Sequence, residues 1–281
     1  MLTVTPSGQA CGAIVEGVNL NKTLSLAELQ AIQEAWWEHH VLSFPDQQLN
    51  DDDLERVTQS LGHFGEEPFF EPIDGREHIC AVSRRSDEQA PLFAEAWHTD
   101  WSFLEHPPIG TCLYGITIPP KGGDTSFIDQ HKAFEFMPDD LRSRIADLTA
   151  LHSAVLAYSP EGAYGAGDSR DRSMRIVYSE KAKEVRPHPL VQTHPESRKK
   201  MLFGCLGYIV GIEGMAEEHA TKLLTELYEW QTRPEFQYHH AWHEHTLLLW
   251  DNRSVLHRAN GGYDGFDRLL HRTTIYAEQS S

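Results

Sequence analysis

Positive charge is scarce in this chain of 281 residues: 24 lysines and arginines face 42 aspartates and glutamates, a formal net charge of −18. A polyanion would have to approach against long-range repulsion, so neither nucleic acid nor an anionic membrane surface is an expected partner. Cysteine is scarcer still. The four, Cys11, Cys80, Cys112 and Cys205, show no C-x-x-C spacing; neither a disulfide framework nor a zinc cluster is indicated, and all four are expected to be reduced and mostly buried. No apolar run approaches the ~20 residues needed to span a bilayer, and residues 1–8 lack a basic segment leading into an apolar one. The expected location is therefore cytoplasmic. Also missing are an internal repeat and the regular strand–helix alternation of a parallel α/β sheet.

What is present is an ordinary globular composition, 40% hydrophobic and 23% charged, with one domain over 1–281 as the expectation. Ser25-Leu26-Ala27-Glu28 is a capping box followed by Leu29, Ile32, Ala35 and Trp36, which predicts a helix from about 26 to 39. Val41 to Phe44 reads as a strand, and Asn50 opens a second helix through Leu54, Val57 and Leu61. Residues 62–96 are irregular, with prolines at 68, 72 and 91 and one strand expected over 78–82; they read as a substrate-side loop insertion. Strands are predicted around Trp97, over 111–118, and over 125–129 after the Gly122-Gly123 turn, with helices over 141–148 and 216–231. Residues 159–183, rich in Gly, Ser, Asp and Arg, read as a second loop insertion near the active site. Strands close the chain at 246–250, 254–259 and 269–276. Many short strands with a few helices predict a mainly β fold with flanking helices, a double-sheet jelly roll.

The most informative residues are Trp97-His98-Thr99-Asp100. Side chains two apart on a strand project from the same face, so His98 and Asp100 can grip one metal ion. A third ligand must come from elsewhere, and His257, just ahead of Arg268 and Arg272, is the candidate. Two histidines and a carboxylate on one face of an octahedron leave three positions open, which suits non-haem Fe(II) binding a chelating co-substrate together with O₂. With the chain so acidic overall, an anionic small substrate has to be held locally by arginine.

In order along the chain stand W-H-T-D at 97–100, G-G-D-T ending at Thr125, W-D-N-R-x-x-x-H from Trp250 to His257, and R-x-x-x-R from Arg268 to Arg272. This series resembles the taurine dioxygenase and 2,4-dichlorophenoxyacetate dioxygenase family of Fe(II)- and 2-oxoglutarate-dependent oxygenases, and the resemblance covers nearly the whole chain. It implies a distorted double-stranded β-helix with Fe(II) held by His98, Asp100 and His257. It further implies 2-oxoglutarate at Arg268 and Thr125, the substrate's own anionic group at Arg272, and O₂ as oxidant with succinate and CO₂ as products. Trp97 and Trp250 are expected behind the ligands, with Asn252 and Arg253 organising the loop before His257. The competing role for either clamp arginine is a salt bridge to Asp251, Asp264 or Asp267.

Two departures bear on the substrate. The taurine enzyme contacts taurine through an asparagine shortly before W-H-T-D and a histidine after an early F-G pair. Here Ala94 holds the first position, and no histidine follows Phe64-Gly65 before Pro72. Leu202-Phe203-Gly204-Cys205 also stands where leucine-phenylalanine-valine-asparagine is expected. A differently shaped, more apolar pocket follows, with Phe69, Phe70, Phe103, Tyr158 and Phe203 as candidate lining. The expected activity is hydroxylation of a small organic anion, a sulfonate, sulfate ester or aryloxyalkanoate, by a homo-oligomer of two or four chains. A metal-dependent hydrolase or isomerase, which gives Thr125 and Arg268 no role, or a non-catalytic binding module using the same clamp, is the alternative on the same scaffold.

Overall fold

The computed structural model describes residues 2–168 and 171–277. Its main sheet has eight strands. In spatial order it runs Thr3–Pro6, Ala13–Glu16, Val41–Phe44, Leu247–Asp251, Gly110–Thr117 and Arg268–Tyr276, with His63–Phe64 and Cys80–Arg84 sharing the far edge of the last. Every pairing is antiparallel except that between Ala13–Glu16 and Val41–Phe44. A smaller antiparallel sheet, Gln237–His240, Thr125–Asp129 and Val255–Ala259, packs across it. This is the double-sheet jelly roll.

Strand alternation sorts the core into layers. Along Leu247–Asp251, Leu247 and Leu249 face Trp36, Ile32 and Leu54, which the two N-terminal helices supply, whereas Leu248 and Trp250 face Phe127, Val255 and Leu270 between the sheets. The helices begin where capping dictates. Ser25 and Glu28 bond reciprocally at the start of Leu26–His39, and Asn50 and Asp53 do so ahead of Asp51–Leu61. A third layer forms where Leu223, Leu224 and Leu227 of the helix Glu217–Gln231 pack with Ile128, Ala150, Ile209 and Leu256.

The structure revises some boundaries. The strand expected over 78–82 is Cys80–Arg84, and the helix expected over 141–148 is Asp139–Ile145. Trp97 to Asp100 is not a regular strand; only His98 makes a bridge. The segments 62–96 and 159–183 are joined by a bridge between Phe70 and Ile176 and by a Val177 N–H to Phe69 carbonyl bond of 2.9 Å. Residues 169–170 of the second segment lie outside the described residues.

Candidate active site

The two histidines, 159 positions apart in sequence, meet across one rung of the smaller sheet. His98 N–H donates to the His257 carbonyl at 3.0 Å, and His257 N–H donates to the His98 carbonyl at 2.7 Å. In an antiparallel pair of this kind the side chains lie side by side on one face. Their ring centroids are 4.2 Å apart. Asp100 follows two residues later on the same side, with Oδ1 3.9 Å from His98 Nε2 and 3.5 Å from His257 Nε2. The three candidate ligand atoms all lie within 4.8 Å of one another.

The candidate ligands are in a metal-ready protonation state, and hydrogen bonds orient two of them, His98 and Asp100. His98 Nδ1 is 2.9 Å from the Ala96 carbonyl; a carbonyl only accepts, so the proton sits on Nδ1 and the Nε2 lone pair is free. Burial lowers the His98 pKa, and burial followed by the neighbouring His98 pulls His257 down to about 3, so both rings are neutral at physiological pH. Burial pushes the Asp100 carboxyl up, but Arg272, His257 and His98 outweigh it and leave the group below its ordinary value, ionised. Its second oxygen, Oδ2, accepts from Thr111 Oγ1 at 2.7 Å; Thr111 accepts from Asn252 Nδ2 at 2.9 Å, and Asn252 Oδ1 accepts from Trp250 Nε1 at 2.8 Å. Two neutral imidazoles and one oriented carboxylate are the donor set Fe(II) takes with positions to spare.

The W-D-N-R run thus divides its work. Trp250 and Asn252 orient Asp100, and Trp250 also packs against the His257 ring at 4.8 Å between centroids. Asp251, fully buried, accepts from Arg253 Nη2 at 2.6 Å and from His194 Nε2 at 2.8 Å, fixing the turn before Val255–Ala259. Asp251 is therefore not a partner of Arg268 or Arg272.

The triad lines a cavity. On one side stand Thr125, Trp250, Ala259, Tyr263 and Arg268. Arg268 Nη2 donates to the Gly123 carbonyl at 3.0 Å, its Nε is buried without a partner, and no carboxylate among the described residues lies within ion-pair distance. Burial accordingly drags its pKa down to about 10. Gly122 and Gly123, both at positive φ, make this approach possible; a side chain on Gly123 would stand 3.2 Å from Arg268 Nε. Thr125 Oγ1 accepts from Trp242 Nε1 at 2.9 Å. A buried cation lacking an anion, beside a hydroxyl and facing the metal ligands, fits the distal carboxylate of 2-oxoglutarate.

On the other side stand Arg272, Phe93, Ala94, Arg172 and Met174. Arg272 Nη2 lies 3.3 Å from Asp100 Oδ1 and Nε 3.5 Å from Glu67 Oε1, with the guanidinium over the Phe70 and Trp101 rings at 5.1 and 5.0 Å. Its partners are thus Asp100 and Glu67 rather than Asp264 or Asp267. A second hollow shares Phe93, Ala94 and His98 with the cavity and is walled by Leu156, Ala157, Tyr158, Tyr164 and Tyr208.

Of the lining candidates, Tyr158 borders this hollow, while Phe69, Phe70 and Phe103 pack with Trp101 in the aromatic cluster behind it. Phe203 does not reach either space. It lines a separate groove with His188 and packs on His152 at 5.5 Å. Tyr208 and Glu67 were absent from the sequence candidates. Tyr208 carries no motif of its own, and Glu67 sits in an irregular stretch where only burial distinguishes it from its neighbour Glu66.

A family model described as taurine catabolism dioxygenase TauD, TfdA family matches residues 3–274. The chain belongs to this family. It is similar to an alkylsulfatase of Acinetobacter baylyi, 32% identical over 269 residues, covering 95% of this chain and 82% of that one. It is likewise 32% identical over 281 residues to an alpha-ketoglutarate-dependent 2,4-dichlorophenoxyacetate dioxygenase of Cupriavidus pinatubonensis, covering 92% of each. Among solved structures, a taurine dioxygenase from Burkholderia xenovorans superimposes with a TM-score of 0.80 at 29% identity, over 98% of this chain and 89% of the other. As a TauD/TfdA protein, the chain is an alpha-ketoglutarate (2-oxoglutarate)-dependent dioxygenase. No helix among the described residues is long and apolar enough to cross a membrane.

Proposed function

We propose that the protein holds Fe(II) on His98, Asp100 and His257, binds 2-oxoglutarate through Thr125 and Arg268, and hydroxylates a small organic anion whose charged group meets Arg272. The substrate class is a sulfonate, sulfate ester or aryloxyalkanoate. One observation carries the reading: the three ligands and an uncompensated, buried Arg268 line one cavity. Fe(II) with 2-oxoglutarate and O₂ supplies the power to cleave a C–H bond, 2-oxoglutarate leaving as succinate and CO₂.

The residues supply position. Arg268 and Thr125 fix one end of the co-substrate, so that its keto acid end faces the open side of the triad. Arg272 fixes the substrate's anion on the opposite side, and the hollow walled by Leu156, Ala157, Tyr158, Tyr164 and Tyr208 receives the rest of the molecule. Phe103 supports this wall from behind, its ring 4.9 Å from that of Tyr208. Burial keeps water away from the reacting carbon. Names of relatives, an alkylsulfatase and a 2,4-dichlorophenoxyacetate dioxygenase, support a substrate larger than taurine, as does Ala94 in place of a polar contact.

The test is a panel of taurine, longer alkyl sulfonates, alkyl sulfates and aryloxyalkanoates, scored by substrate-dependent succinate. A larger apolar anion should outrun taurine. Taurine as the best substrate would refute the pocket reading, and a neutral best substrate unaffected by Arg272→Ala would remove the anion anchor. The proposal carries with it one catalytic domain, a cytoplasmic location and a homo-oligomer of two or four chains, the last checked by light scattering on the purified protein.

A further inference from the structure

Glu67 is an acid buried beside the residue assigned to hold an anion. Its side chain is 8% exposed, Oε1 faces Arg272 Nε at 3.5 Å, and Oε2 accepts from Trp101 Nε1 at 2.9 Å. The Trp101 ring that orients this carboxylate also lies under the Arg272 guanidinium. Arg272 therefore has two carboxylates at ion-pair distance, Glu67 and Asp100, and lies over the adjoining rings of Phe70 and Trp101. A metal ion on Asp100 would draw that charge to itself. Glu67 has no second cation: Arg272 is its one ion-pair partner among the described residues.

We infer that Glu67 is a specificity-determining residue that limits how much negative charge Arg272 accepts, selecting a singly charged substrate group over a doubly charged one. The inference rests on the proposal that Arg272 receives the substrate's anion. A sulfate monoester or sulfonate carries one charge spread over three oxygens; a phosphate monoester of the same shape carries nearly two. The first charge is offset by Arg272. The second meets Glu67 across a poorly screened interior, where one unit charge several ångströms away changes affinity by roughly tenfold or more.

The test compares hexyl sulfate with hexyl phosphate. Equilibrium binding of each is measured on the anaerobic Fe(II)·2-oxoglutarate enzyme, for the natural protein and for Glu67→Gln, which keeps the volume and the acceptor for Trp101. Work at about pH 8 keeps the phosphate ester dianionic and lies above Glu67, whose carboxyl burial pushes up to about 7. The natural enzyme should bind the sulfate at least roughly tenfold tighter, and Glu67→Gln should shrink that ratio several-fold, chiefly by tightening the phosphate. Equal affinities in the natural enzyme overturn the inference whether or not the variant folds. A ratio unchanged by Glu67→Gln also overturns it, since a purely structural Glu67 would shift both affinities by one factor. If binding of the sulfate ignores Arg272→Ala, the substrate-anchor reading falls too, and the two failures are told apart.

Discussion

Arg268 and Arg272 stand four residues apart on one strand, are buried almost equally, at 6% and 5% exposure, and each lies over two aromatic rings, yet the charge around them differs. Arg268 meets a backbone carbonyl, a glycine turn and the Trp242 and Tyr263 rings at 6.0 and 5.8 Å, with no carboxylate among the described residues at ion-pair distance. Arg272 meets two carboxylates and two aromatic rings. An uncompensated buried charge demands one fixed counter-charge, which suits a co-substrate that never varies. A compensated one is content without a ligand and discriminates by what is added to it, which suits the end of the cavity where chemistry is selected.

The largest expected effect comes from removing what both ends share. His257→Ala should cut activity by roughly a thousandfold or more and abolish tight Fe(II) binding, because one of only three protein ligands is lost; anaerobic metal titration checks this, and full iron affinity in the variant would overturn the ligand assignment. Next comes a double dissociation between the arginines. Arg268→Ala should raise the 2-oxoglutarate requirement by roughly 10- to 100-fold and the substrate requirement far less, while Arg272→Ala should do the reverse. Steady-state kinetics with each ligand varied decides it, and equal losses for both ligands in either variant would break the comparison.

Acid sets the range over which these comparisons hold. Burial pulls His40, His152 and His240 down to about 3 and His131 to about 4. The unfolded chain protonates histidine near 6.5, so between about pH 6.5 and 4 the unfolded state binds more protons, and stability falls as pH falls by up to about 1.4 kcal/mol per unit for each such residue. Denaturant midpoints measured across this window should drop steeply. His152→Phe should flatten the slope; a slope unmoved by that substitution would show that His152 is not held neutral. The smallest effect belongs to Thr125→Val, expected to weaken 2-oxoglutarate by a few-fold only, one neutral hydrogen bond beside a charged clamp.

Local chemistry was readable and long-range placement was not. Ser25 with Glu28 and Asn50 with Asp53 announce their helices because a cap is settled within four residues. The four motifs along the chain supplied the candidate ligands and clamp residues, which the structure brings to one cavity. That His98 would lie on a single rung rather than in a strand has no local signal, because the rung is made by His257. Phe203 was misplaced for a similar reason. Gly204, at φ 80°, leaves room for the His152 ring, which a Cβ there would meet at 2.4 Å, and Phe203 packs on that ring away from the cavity. Cys205 meanwhile donates from Sγ to the Trp97 carbonyl at 3.0 Å, supporting the ligand segment from behind. The counter-charge at Glu67 likewise becomes visible only when the loop before Phe69 folds back onto Arg272.

The rung joining His98 and His257 offers a spectroscopic handle. Its two amide protons sit directly behind the two imidazoles, and both are locked only by each other's carbonyls. A metal bridging the side chains would hold the rung closed, so these amides should exchange with deuterium more slowly once the site is loaded. Site occupancy could then be followed residue by residue with a redox-silent divalent ion, without oxygen or turnover; exchange rates that ignore the ion would show that the rung is held shut by the sheet alone.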